Sequence, residues 1–212
     1  MTAPHHLYSP DEYLSFEMGV ETRHEYVDGQ IYAMAGAGLQ HNRVVRNVAY
    51  AFGTALRGGP CETFVESLRV RVGPRQAYLY PDGVGLCGET DVELWQGMET
   101  LLNPSFVVEV LSPSTEAYDR GRKFALYRRI PTLREYVLVA TDRVHAEVYT
   151  RAEPAWARID VDGPDGILAV ASVGAAVRLG DLYERVVFPE QPLGPRRVRE
   201  PDPAYTADAS PP

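Results

Sequence analysis

Apolar positions along this chain mostly alternate with polar ones, and only a few stretches repeat at helical spacing. Residues 24–34, HEYVDGQIYAM, form two β-type runs around Asp28-Gly29, a dipeptide suited to a tight hairpin turn. Cys61 to Val72 reads as a strand, with Leu68, Val70 and Val72 alternating with Arg69 and Arg71. Ala77 to Cys87 is strand-like but broken by glycines and by Pro81. Phe106 to Leu111 is continuously apolar except at Glu109, the pattern of a strand buried on both faces. Further strands are expected over Arg134 to Ala140 and Val144 to Thr150, and short β segments over Trp156 to Val161, Ile167 to Ser172 and Ala176 to Leu179. Helical signals are fewer. Ser9-Pro10-Asp11-Glu12 is a capping box that starts a helix running to about Met18. Val44, Val45, Val48, Phe52 and Leu56 mark an amphipathic helix within 40–57. Residues 112–130 form a third helix, closed before Pro131. Strands and helices mix without strict βαβ alternation and without internal repeats, which predicts an α+β fold with a mixed sheet.

The 212 residues suit one domain, expected over 1–189. From Glu190 the chain has six prolines in 23 residues and few large apolar groups, so 190–212 reads as a disordered tail. The N-terminus MTAPHHLYSPDEY has neither a cationic patch nor an apolar core, and no apolar run reaches the roughly 20 residues that span a bilayer. A cytoplasmic protein away from membranes is expected. Cys61 and Cys87 form no CxxC pair or framework, so reduced thiols are the default. The net charge of −8 argues against nonspecific nucleic-acid binding by the whole surface. It is unevenly spread: residues 40–80 sum to +4, residues 81–111 to −6 with no basic residue, and residues 112–143 to +3.

Chemistry concentrates in that acidic block and the basic stretch after it. Glu109 interrupts a buried strand, and a carboxylate there needs a salt bridge, hydrogen bonds or a metal. Asp82 follows Pro81, which fits a turn aspartate as well as a metal ligand. Lys123 is the only lysine; the other 20 strongly basic residues are arginine. At 100° per residue it shares a helix face with Leu126, Tyr127 and Ile130, whereas Arg122, Arg128 and Arg129 fall outside that arc. A lysine stem can cover the core while its head reaches water, but arginine does so too. A compact, orientable ammonium is not replaced by a planar guanidinium. Two carboxylates can hold a hard divalent cation such as Mg²⁺, and a lysine beside it can stabilise charge developing on a phosphodiester.

With these residues in view, HEYVDGQIYAMAG, HNRVVRNV, LRVRV, YPDGVGLC, VVEVLSPSTEAYDRGRKFALYRRIP and LREYVLV resemble the Uma-type putative restriction endonuclease family of the PD-(D/E)XK nuclease superfamily, over about residues 7–188. The resemblance implies a restriction-endonuclease-like core, a mixed sheet flanked by helices, carrying an additional N-terminal helix and hairpin and C-terminal β segments. It implies Asp82 and Glu109 as metal ligands, with the backbone carbonyl of Val110 as a third oxygen. The superfamily's usual lysine, two residues after the acid, is Leu111 here; the family takes it from the following helix, where Lys123 matches. Glycines in PDGVG stand where the family usually has β-branched residues. Glu25, at the hairpin start, is a further acidic candidate or an exposed strand residue. His41, at a helix start, is a phosphate or substrate contact, or a capping or core-edge histidine. Tyr118 and Tyr127 are expected to pack.

The reading is a Mg²⁺-dependent DNA endonuclease, with Mn²⁺ as a substitute metal and homodimerisation expected because two strands must be cut. The alternative is a catalytically silent domain acting as a binding or assembly module. A glycosidase acid/base pair fits less well, because a glutamate within a buried strand next to a lysine suits metal-phosphate chemistry.

Overall fold

The computed structural model describes residues 6–34, 36–65 and 68–188. The stretch 190–212, expected to be a tail, lies outside them. Helix α1 (Pro10–Met18) begins at the anticipated capping box, Ser9 and Glu12 each bonding the other's backbone N–H. It packs on the hairpin of β1 (His24–Val27) and β2 (Gln30–Ala33), whose Asp28 and Gly29 both have positive φ. Helix α2 (Leu39–Ala55) then buries Val44, Val45, Val48 and Phe52. The strands β3 (Cys61–Val65), β4 (Arg69–Val72), β5 (Ala77–Leu79), β6 (Gly83–Cys87), β7 (Val92–Trp95), β8 (Met98–Leu101) and β9 (Phe106–Val110) follow. Next comes a helical run of α3 (Glu116–Tyr118), a π-helical turn (Asp119–Lys123) and α4 (Phe124–Tyr127). The chain continues through β10 (Glu135–Val139), β11 (His145–Ala152), β12 (Ala155–Asp162), β13 (Ile167–Val170) and β14 (Ala175–Arg178).

The strands form two six-stranded sheets, ordered β2-β1-β5-β4-β8-β7 and β12-β11-β10-β9-β6-β3, beside the small β13-β14 pair. Each large sheet is mixed, with parallel pairs β4-β8 and β9-β10. Strand β9 is buried along its whole length, as its apolar run predicts. Phe106, Val108 and Val110 belong to a core shared with α2, while Val107 and Leu111 belong to a second core with Val27, Leu79, Leu126 and Tyr127. Two apolar layers therefore sandwich the strand that carries Glu109.

Three expectations need correction, and one hairpin is additional to them. Cys61 to Val72 is not one strand: β3 and β4 lie in different sheets. Ala77 to Cys87 is likewise two strands, and the chain crosses between the sheets at Tyr80-Pro81-Asp82, where proline can donate nothing to a ladder. The β7-β8 hairpin, turning at positive-φ Gln96 and Gly97, was not anticipated. The cysteines do not stay apart: Cys61 and Cys87 face each other across β3-β6 and form a disulfide. Sequence separation hid this pairing, which the strand register creates.

Candidate active site

The crossing between the sheets assembles the site. Because Tyr80 leaves β5 and Pro81 has no N–H, the backbone of Tyr80 is free to serve side chains. Its N–H donates to Glu25 Oε1 at 3.2 Å, and its carbonyl accepts from Lys123 Nζ at 3.3 Å. Asp82, the next residue but one, accepts from the backbone N–H of Val110 at 2.7 Å, which ties the crossing to the end of β9.

Lys123 projects inward from the helical run and is 5% exposed. Its Nζ lies 2.9 Å from Glu109 Oε1, 3.1 Å from Glu25 Oε1 and 3.9 Å from Asp119 Oδ1. All three carboxylates are buried. His41 Nε2, from the first turn of α2, lies 3.3 Å from Asp82 Oδ2, and these two side chains are partly exposed. Asp82 and His41 thus form the mouth of the cluster, with Glu109, Glu25, Asp119 and Lys123 at its floor. Tyr127 packs in the second core as expected, but Tyr118 does more. Tyr118 donates its hydroxyl to Glu25 Oε2 at 3.1 Å, and Tyr80 donates its own to Glu17.

Four carboxylates around one ammonium leave an excess of negative charge in buried surroundings. Burial pushes the Glu109 carboxyl well above its ordinary range, and repulsion from Asp82, Asp119 and Glu25 adds to this against the pull of Lys123. Burial also raises Asp119. Burial alone would lower Lys123, but Glu109, Glu25 and Asp119 outweigh it and keep its ammonium charged.

Every residue singled out in the sequence comes together: Asp82, Glu109, Val110, Lys123, Glu25 and His41. Glu25 is buried rather than the exposed strand residue weighed as its alternative. Asp119 was missed. Its signal was available, since it stands four residues before Lys123 on the same helix face. The backbone role of Tyr80 had no such signal. Among the described residues no group of three or more His, Cys, Asp or Glu is set to hold a metal. Two surface hollows are lined by other residues, one by Arg71, Leu102 and Arg129, the other by Asn42, Arg46 and Tyr50. Among the described residues no helix is long and apolar enough to cross a membrane.

Comparisons with known proteins bear on the family and the fold. The Uma2 family model, described as "Putative restriction endonuclease", matches residues 10–179. The uncharacterized protein slr1290 of Synechocystis sp. is 36% identical over 188 residues, covering 88% of this chain and 97% of that protein. A second uncharacterized protein from the same organism, sll1609, is 34% identical over 131 residues, covering 60% of this chain and 72% of its own length. A crystal structure from Anabaena variabilis, described as a putative nuclease belonging to DUF820, superposes with a TM-score of 0.68 at 19% identity, covering 84% of this chain and 99% of that one. That likeness shows the fold: α+β, of the restriction-endonuclease-like kind.

Proposed function

The chain belongs to the Uma2 family of putative restriction endonucleases, and on that premise we propose that it is a Mg²⁺-dependent endonuclease hydrolysing phosphodiester bonds of DNA, with Mn²⁺ able to substitute. The observation that carries this reading is the charge balance of the site, where Glu25, Asp82, Glu109 and Asp119 surround the single ammonium of Lys123. A hard divalent cation fits that donor set. Mg²⁺ keeps several of its waters and needs only one or two carboxylates, so no ready-made group of three is required. Asp82 and Glu109, with the backbone carbonyl of Val110, would hold it. When bound, the cation polarises a phosphoryl oxygen and lowers the pKa of a water molecule.

The chain's own groups supply the rest. The backbone N–H of Val110 fixes the Asp82 carboxylate. Lys123 carries its positive charge towards the transferring phosphoryl group, where it stabilises charge in the transition state. His41, at the mouth beside Asp82, takes the proton of the attacking water. Glu25 anchors Tyr80 and Tyr118 around the lysine.

The test is cleavage of plasmid and short duplex DNA with Mg²⁺ or Mn²⁺, with and without chelator. Chelation abolishes cleavage in this account, and Asp82→Asn and Glu109→Gln each reduce it to background. Cleavage that survives both substitutions would sink the assignment. We further propose that residues 1–189 act as one nuclease unit and that it works as a homodimer. Light scattering at twice the chain mass tests the dimer.

A second reading, a catalytically silent binding or assembly module, draws on one observation: Lys123 already has carboxylate partners at 2.9 and 3.1 Å, so the cluster is partly compensated without a metal. Such a module binds no Mn²⁺ at this site.

A further inference from the structure

Lys123 faces a problem in the reading above, on which this inference rests. An ammonium has three protons. They meet Glu109 at 2.9 Å, Glu25 at 3.1 Å and the Tyr80 carbonyl at 3.3 Å. Glu109 is also a candidate metal ligand, whereas Glu25 is held by Tyr80 and Tyr118. A cation that draws Glu109 takes one of the ammonium's partners, and a buried charge that loses partners is strongly unfavourable.

Asp119 is the remaining carboxylate. Its Oδ1 is 3.9 Å from Lys123 Nζ, just beyond a hydrogen bond, and it is 4% exposed. It precedes Lys123 by four residues in the same π-helical turn, Asp119–Lys123, so both heads point into the cluster from one element. Turns of this kind are rare and often occur at functional sites. This one is braced from outside the helix. The buried Tyr136 hydroxyl donates to the Asp119 carbonyl at 2.9 Å. Arg120, the next residue, pairs with the buried Glu147 and with Glu116 at 2.8 Å.

We propose that Asp119 is a positioning residue: when a divalent cation draws Glu109, the Lys123 ammonium exchanges that partner for Asp119 and is held between Asp119 and Glu25. Asp119 touches neither metal nor substrate in this account and acts only through Lys123.

The sole lysine makes the proposal directly readable. Incorporating lysine labelled with ¹³C at Cε and ¹⁵N at Nζ gives one side-chain signal, in the full chain. The expected result is a wild-type signal that shifts once on adding Mg²⁺ and stays sharp. In Asp119→Asn the metal-free signal matches wild type, and Mg²⁺ broadens it or moves it to the position of a mobile, solvated ammonium. Asp119→Glu restores the wild-type response and also keeps the test open if the asparagine variant folds poorly. Calorimetric Mn²⁺ binding persists in both variants, while kcat for duplex cleavage falls about 10- to 100-fold in Asp119→Asn at unchanged KM, the range for groups that orient a reacting residue. An Asp119→Asn signal that follows Mg²⁺ as wild type does overturns the role of Asp119 alone. A wild-type signal and calorimeter trace both indifferent to metal overturn the metal reading itself, and the transfer with it.

Discussion

Glu109 and Lys123 are bound into one electrostatic unit, and substituting either has a different consequence. Lys123→Ala leaves Glu109 and Glu25 buried without their cation; chemical denaturation is expected to show a loss of about 3–5 kcal/mol, the cost of breaking a buried pair from one side. Lys123→Arg keeps a positive charge but not a compact, orientable one, and kcat is expected to fall about 10²- to 10³-fold, as on losing a preorganised donor. Glu109 sets a pH dependence of known sign. Folding raises its pKa, so the folded protein keeps this proton where the unfolded chain has lost it. Its contribution to stability is complete below the ordinary value of 4.5 and is lost as pH rises through the folded value. Glu109→Gln removes that slope, which denaturation at a series of pH values above 4.5 will reveal. Metal binding must expel the same proton, so Mn²⁺ affinity falls as pH falls, and calorimetry in buffers of different ionisation enthalpy detects the release. These side chains were legible in the sequence because each broke a local rule: a carboxylate in an apolar strand, a lysine in a chain of arginines. Asp119 broke none, and the Tyr80 backbone groups have no side-chain signature at all.

At the scale of elements, the glycines of β6 have a packing reason. Gly85 pairs with Phe106 across β6-β9, and a Cβ there would enter the Phe106 ring and lie 2.9 Å from the Glu62 carbonyl. At Gly83 a Cβ would lie 3.3 Å from Val108 and 3.4 Å from Val48. Gly85→Ala is expected to destabilise by about 1–3 kcal/mol, as overpacking does, and a melting temperature equal to wild type would contradict this. The same bulky neighbours explain why the expected strand from Ala77 to Cys87 was misread: glycines and proline looked like breaks in one strand, whereas Pro81 marks the passage from one sheet to the other. The Cys61–Cys87 bond closes a separation of 26 residues between β3 and β6. Cys61→Ser is expected to cost about 3.5 kcal/mol on the loop-closure model. The expectation of reduced thiols came from spacing alone, and register across strands is not visible there.

The whole molecule is organised so that two sheets and one helical run meet where the acidic and basic segments of the chain meet. The acidic block 81–111 carries Asp82 and Glu109, and the basic block 112–143 carries Lys123. Their opposite signs, visible in the sequence, correspond to contact in space. The α+β class was legible from mixed periodicities, but the division into two six-stranded sheets was not, because each crossing is made by a few residues with no change of period. The central claim concerns the one place where all these segments converge, and calorimetric titration with Mn²⁺ in the presence of a short duplex tests it most directly. The account predicts that the wild-type protein binds the metal and that Glu109→Gln does not. Absence of binding by wild type, or equal binding by both proteins, would contradict it.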